Sequence, residues 1–296
     1  MRLHPYGTLA AVFVAAMWGF SFVAARIVLS TVTPMILATV RFVISSLFFI
    51  PIIVIEYSRG DSPNLRNLLE LAFLGFLSIS IYFPLQYIGV QYAGAGVSAL
   101  LVNGSIPILT GLSSALLIRE RYGARQVFGT LLGLAGVGLI TVPGLLLERV
   151  DWFFYIGVLC LFLNAICFAA YSTISRKLMK RSSKPLLTTS YVIVFGTLIL
   201  IPMSVSSDWS TIRYLRLDQW LSILYLAVCC SCGGYFLWNY SLSKMEAAKV
   251  AVWQYLEPLV AFVGEALIFS TIPTATTMVG GTTIIVGALL TSTSEI

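Results

Sequence analysis

The chain has 296 residues, of which 58% are hydrophobic and 10% charged, with a mean hydropathy of +0.94. A soluble domain carries roughly 25% charged residues, so this chain has too little polar surface to clothe a water-soluble globule. The net charge of +6 does not mark a nucleic-acid binder, because the bases sit in short loops between apolar runs, where they signal membrane topology.

Ten apolar runs approach the roughly 20 residues that cross a bilayer. They cover 6–29, 34–55, 68–90, 97–118, 127–143, 154–174, 186–205, 221–242, 248–269 and 276–290. The connections between them are short and leave no room for a soluble domain. The first run continues past the length of a signal-peptide core and is expected to be a retained helix. All five cysteines, Cys160, Cys167, Cys229, Cys230 and Cys232, fall inside apolar runs. They read as packing residues rather than a disulfide set or metal site. Thirteen of the 18 Lys and Arg residues lie at the N-terminus or in even-numbered loops. The positive-inside rule therefore predicts a multi-pass cell-membrane protein with both termini in the cytoplasm.

The chain also matches itself when shifted by about 150 residues. Trp18 to Arg26 lies over Phe168 to Arg176, each an aromatic eight residues before an arginine. A shift of 151 lays Asn103, Pro107, Gly129 and Gly136 over Gln254, Pro258, Gly280 and Gly287. Residues 1–150 and 151–296 are thus expected to form two halves of five helices. An odd number of spans makes the second half enter the membrane from the opposite side. The expected fold is all-α, with ten transmembrane helices as two inverted repeats around a central cavity near the midplane.

Trp18-Gly19-Phe20-Ser21-Phe22, Arg41-Phe42, Ile106-Pro107 followed by Arg119-Glu120-Arg121, Gly129 to Gly136, and Leu256-Glu257-Pro258 occur in a specific order. On these residues the chain resembles the drug/metabolite transporter superfamily, specifically its EamA branch of ten-helix carriers. The resemblance covers essentially the whole chain. It implies the five-plus-five inverted repeat, a cavity between the halves and alternating access, but no particular substrate. Members move amino acids, nucleobases, nucleosides, drugs and other small metabolites, mostly outward in bacteria, which points to a bacterial inner membrane. One departure is clear: Glu120 follows Pro107 by 13 residues, whereas Thr271 holds the equivalent place after Pro258, and Glu265 lies inside the span instead.

Candidate site residues follow from polar groups inside the spans. Asn103 and Gln254 each lie four residues before a proline, at the carbonyl that the proline frees. Each either lines the cavity or ties neighbouring helices together. Glu257 lies near mid-depth, where burial works against its charged form, the property a proton carrier needs; the alternative is a permanently hydrogen-bonded structural carboxyl. Arg41, inside the second span, is expected to pair with Glu265, since an unpaired buried charge is unfavourable; the alternative is capture of a substrate carboxylate or phosphate. Tyr82 and Gln86 share a face around Pro84, and Asn164, Phe168, Tyr171 and Ser175 form a stripe. Trp18 matches Phe168 in the repeat, and Trp238 and Asn239 lie in the eighth span. Aromatics with a polar tip suit a cavity for flat or amphipathic solutes, or else face lipid interfaces. Gly129, Gly133, Gly136, Gly280, Gly281 and Gly287 read as close-packing faces, between the halves or in a dimer.

The leading reading is a secondary carrier, an exporter or exchanger of a small organic solute, with an amino acid or nucleobase-like metabolite first and proton-coupled drug efflux as the alternative. An intramembrane enzyme fits poorly: the one histidine is terminal, the aspartates are in or beside loops, and no Cys/His set has metal-ligand spacing. No phosphate-cradling glycine loop with lysine is present. A channel would need an unbroken polar lining, whereas the polar groups concentrate near mid-depth. Expected partners are a small solute, possibly a proton, and the bilayer, with no cofactor, no metal and no nucleic acid. Monomer and homodimer both stay open.

Overall fold

The computed structural model describes residues 4–60, 63–145, 152–181, 184–260, 263 and 275–293. Helix α1 covers Pro5–Leu29 and α2 covers Pro34–Ser58. Each starts on a proline, whose missing N–H is no loss at the first helical position. His4 Nδ1 caps α1 by accepting from the Gly7 N–H at 3.2 Å. Helix α3, Leu65–Gly75, is capped by Asn64 and continues through a π-helical stretch, Phe76–Ile81, into α4, Tyr82–Ile118. Then come α5, Ala124–Leu145, α6, Trp152–Arg181, and α7, Pro185–Met203. Helix α8, Leu217–Tyr225, passes through a second π stretch, Leu226–Gly234, into α9, Tyr235–Lys244. The short α10, Ala247–Ala251, tightens into a 3-10 turn over Val252–Tyr255, and α11 covers Ala275–Ser292.

Among the described residues seven helices are long and apolar enough to cross a membrane, and Ala124–Leu139 and Met278–Ser292 are shorter apolar helices. Where the ten expected runs are described they fall on helix; the ninth is described over its first half. Large apolar side chains such as Leu116, Leu217 and Trp152 face outward, as a chain solvated by lipid requires.

Helix α4 runs from Tyr82 to Ile118, yet its contacts reverse direction along α6. Asn164 meets Tyr82, Leu161 meets Gly89 and Gly157 meets Ala93, an antiparallel series. Ser113 then meets Thr173 and Glu120 meets Arg176, a parallel series. The chain therefore turns back between Ala93 and Ser113, and α4 holds the end of one span and the whole of the next, Leu101–Ile118.

Three sets of long-range contacts hold the bundle. Helix α1 runs antiparallel to α8 and α9: Ser241 Oγ donates to Gly7 O at 2.9 Å, Trp18 Nε1 to Cys230 O at 3.0 Å, and Gln219 Nε2 to Ile27 O at 3.0 Å. Helices α2 and α7 meet where Ser46 Oγ donates to Thr197 Oγ1 at 2.9 Å. Helices α5 and α11 also pack antiparallel, Gly129 against Gly287 and Gly136 against Gly280. The backbones approach so closely that a Cβ on Gly287 would lie 2.5 Å from the Gly133 nitrogen. The glycine faces read from the sequence thus join the fifth and last described helices of one chain.

Candidate functional site

A cavity of about 540 Å³ extends from the middle of α1 to its C-terminal end. Trp18, Ser21, Ala25 and Leu29 line it from α1, with Ser30 just beyond; Arg41 comes from α2; Tyr82, Phe83, Gln86 and Tyr87 come from α4. Phe168 of α6, Tyr235 of α9 and Glu257 line it as well.

Its floor is aromatic. The Trp18 ring lies 5.6 Å from Phe168, 5.8 Å from Tyr235 and 5.4 Å from Trp238. Trp18 is anchored by its bond to Cys230 O, a carbonyl inside the second π stretch. Gly234 makes room, since a Cβ there would lie 2.5 Å from the indole nitrogen. Below the floor is a buried polar layer. Asn239 Nδ2 donates to Tyr171 Oη at 3.0 Å and to Thr189 Oγ1 at 2.9 Å, and Ser175 Oγ donates to Asn239 Oδ1.

Further along the same side lies an ion cluster on Glu120. Arg176 Nε and Lys180 Nζ reach its Oε1 at 2.8 and 2.9 Å, and the Ala247 N–H reaches Oε2 at 2.9 Å. Arg176 Nη1 also donates to Leu242 O at 2.6 Å. The cluster therefore ties the end of α4 to α6, α9 and α10. Arg119 aims it: this residue takes a left-handed φ of 54° at the α4 C-terminus, and Glu120 N then bonds Ser114 O at 3.1 Å, a helix-ending turn that glycine usually makes. Burial works to raise the Glu120 carboxyl, but the bonds from Arg176, Lys180 and Ala247 outweigh it and hold the group below the ordinary carboxylate range.

Of the residues singled out from the sequence, the cavity brings together Trp18, Tyr82, Gln86, Arg41, Phe168 and Glu257. The others lie elsewhere. Asn164 Nδ2 donates to Tyr82 O at 2.8 Å and serves the packing of α6 on α4. Tyr171 belongs to the layer below the floor, and Trp238 backs the floor 5.4 Å behind Phe168. Asn103 and Gln254 are buried at 1% and 2% exposure and do not line the cavity. They lie where α4 crosses the ninth span, beside the contact of Tyr255 Oη with Gly104 O at 3.4 Å. The 3-10 turn before Pro258 takes up backbone groups there, Leu256 N–H bonding Trp253 O. Gln254 Oε1 is buried with no hydrogen-bond partner among the described residues. The expected Arg41–Glu265 pair is not placed, since Glu265 lies outside the described residues. Among the described residues Arg41 Nε donates to Ser231 Oγ at 2.7 Å. Phe83, Tyr87, Ser231 and Tyr235 were not singled out beforehand. Phe83 and Tyr87 follow the Tyr82–Gln86 pair by one position each, a wider face of the same helix.

The EamA-like transporter family model matches this chain twice, over residues 5–142 and 155–293. An "uncharacterized transporter" of Archaeoglobus fulgidus is 26% identical over 281 residues, 94% of each chain. The Bacillus subtilis "uncharacterized transporter YyaM" is 25% identical over 246 residues, 83% of this chain and 80% of that one. A crystal structure with a TM-score of 0.79 and 18% identity covers 96% of this chain and 95% of its own; it bears on the fold alone. The chain belongs to the EamA-like transporter family and is a multi-pass membrane transporter of a small-molecule solute.

Proposed function

We propose that the protein is a secondary carrier, an exporter or exchanger of a small organic metabolite that works by alternating access between two inverted five-helix halves. The observation that carries this reading is the asymmetry along the bundle. One side holds a cavity of about 540 Å³, while the other is closed by the aromatic floor, the Asn239 layer and the Glu120 cluster in turn. A channel in a conducting state has no such succession of closed layers.

The inverted arrangement has independent support. With a shift of 151, Gly129 corresponds to Gly280 and Gly136 to Gly287. Their contacts, Gly129 with Gly287 and Gly136 with Gly280, exchange under that correspondence and run antiparallel. A two-fold axis perpendicular to the helices produces this pattern. Ser46 and Thr197 are likewise separated by 151 and bond each other, as residues near such an axis would. The π stretches at Phe76–Ile81 and Leu226–Gly234 also start 150 apart.

With the bases inside, the cavity faces outward and the Glu120 cluster closes the cytoplasmic side. An amino acid or nucleobase-like solute fits a pocket of rings with one guanidinium and one carboxyl. Counterflow in proteoliposomes tests the carrier: unlabelled solute on the far side should accelerate entry of labelled solute. Entry unaffected by the far side would favour a channel.

A further inference from the structure

We infer that Arg41 is an anion subsite of the cavity and takes the carboxylate of a solute with a flat apolar body. This deepens the carrier reading and rests on it for its setting. Arg41 is 4% exposed, yet it lines the cavity. Its Nε donates to Ser231 Oγ at 2.7 Å, and Tyr87 lines the cavity with it. The Phe83 and Phe42 rings flank Cζ at 4.8 and 5.2 Å. A guanidinium carries five N–H donors in a planar fork, and the Ser231 hydroxyl takes one of them. Among the described residues no carboxylate forms an ion pair with it. Ring faces and hydroxyl dipoles hold a cation in place, but they do not replace the counter-charge that a buried ion requires.

The shape of the charge decides between anions. Among the described lining residues Arg41 is the sole cation, and Glu257 is also present. A phosphate carries close to two negative charges and would be left half neutralised beside a carboxyl. One carboxylate matches one guanidinium in charge and in its two-pronged geometry. The body of the solute then lies against Phe83, Tyr87 and the Trp18–Phe168 floor. Ser231 sits in the second π stretch, so the subsite draws on both halves of the chain and senses their relative position.

The test is binding to the purified full chain in detergent, read by titration calorimetry with benzoate, its neutral isostere benzamide, and inorganic phosphate. Benzoate should bind at least about 100-fold more tightly than benzamide or phosphate, the order expected for a desolvated charge pair. Arg41→Gln should remove that preference, and Ser231→Ala, which only loosens the guanidinium, should weaken benzoate about tenfold without changing the order. Equal affinity for benzoate and benzamide in the wild type overturns the subsite, as does failure of benzoate to bind, and neither result depends on a variant that folds. Stronger phosphate than benzoate binding also overturns the carboxylate assignment. Counterflow measured separately divides the two proposals. Benzoate exchanged equally by wild type and Arg41→Gln refutes the subsite and leaves the carrier. Selective benzoate binding without any exchange supports the subsite and refutes the carrier.

Discussion

Asn164 commits its Nδ2 donor to the Tyr82 carbonyl at 2.8 Å, and that contact decides what replacing it would do. Asn164→Leu keeps the volume and removes one buried hydrogen bond between α6 and α4, so the protein should lose about 0.5–1.5 kcal/mol of stability, seen as a lower midpoint on heating in detergent, while solute affinity is unchanged. Glu257 belongs to the cavity and behaves differently. If it carries a proton, Glu257→Gln should make uptake into proteoliposomes independent of pH; uptake that still follows pH would assign the carboxyl a purely structural role. Trp18, Tyr82, Gln86, Arg41 and Glu257 were legible in the sequence because polar or aromatic groups inside apolar runs need a reason. Ser231 and Tyr235 were not. A π stretch precedes Tyr235 and contains Ser231, and its i→i+5 bonding breaks the 3.6-residue period by which faces are aligned. Asn103 and Gln254 misled for the opposite reason. Each proline frees a carbonyl, but neither amide turns to the cavity: Asn103 stays inside the α4 helix, and a 3-10 turn precedes Pro258.

Element packing makes two sharper predictions. Gly287 lies against backbone of α5, while nothing lies within 4 Å of a Cβ placed on Gly138. Gly287→Ala should therefore cost about 1–3 kcal/mol by forcing α5 and α11 apart. Gly138→Ala should be neutral or stabilise by roughly 0.5–1 kcal/mol through helix propensity. A thermal melt of both variants checks the pair. The Glu120 cluster makes the second prediction through pH. Its carboxyl is held below the ordinary range in the folded chain, so its contribution is complete above the unfolded value and lost as pH falls through the folded one. The stability difference between wild type and Glu120→Gln should stay constant from pH 7 to about 5.5 and shrink below about 4. A difference that shrinks between pH 7 and 6 would contradict the ion pairs. The helices themselves were legible, since ten apolar runs leave little choice. The reversal inside α4 was legible too, since the runs 68–90 and 97–118 are consecutive spans and must cross in opposite directions; that helix continues between them was not. Nor was the role of Glu120, whose partners lie 56 and 127 residues away.

At the scale of the whole molecule the proposal is that two mirrored halves exchange which side they open. The repeat was visible as a nearly constant shift, and the family model likewise matches the chain twice, over residues 5–142 and 155–293. The side that is closed, and what closes it, needed the coordinates. Under the 150-residue shift Ala25 in the cavity corresponds to Ser175 beneath the floor, so one should become reachable as the other is covered. The direct measurement places single cysteines at these positions, Ala25→Cys and Ser175→Cys, in a chain whose five native cysteines are replaced. Each is probed with a membrane-impermeant thiol reagent from either face, with and without Glu120→Gln. Alternating access predicts that Ala25→Cys reacts from outside and Ser175→Cys is silent, and that loosening the Glu120 cluster speeds the second from the cytoplasm while slowing the first. If both positions react faster together, or Ala25→Cys reacts from the cytoplasmic face, the carrier account is contradicted.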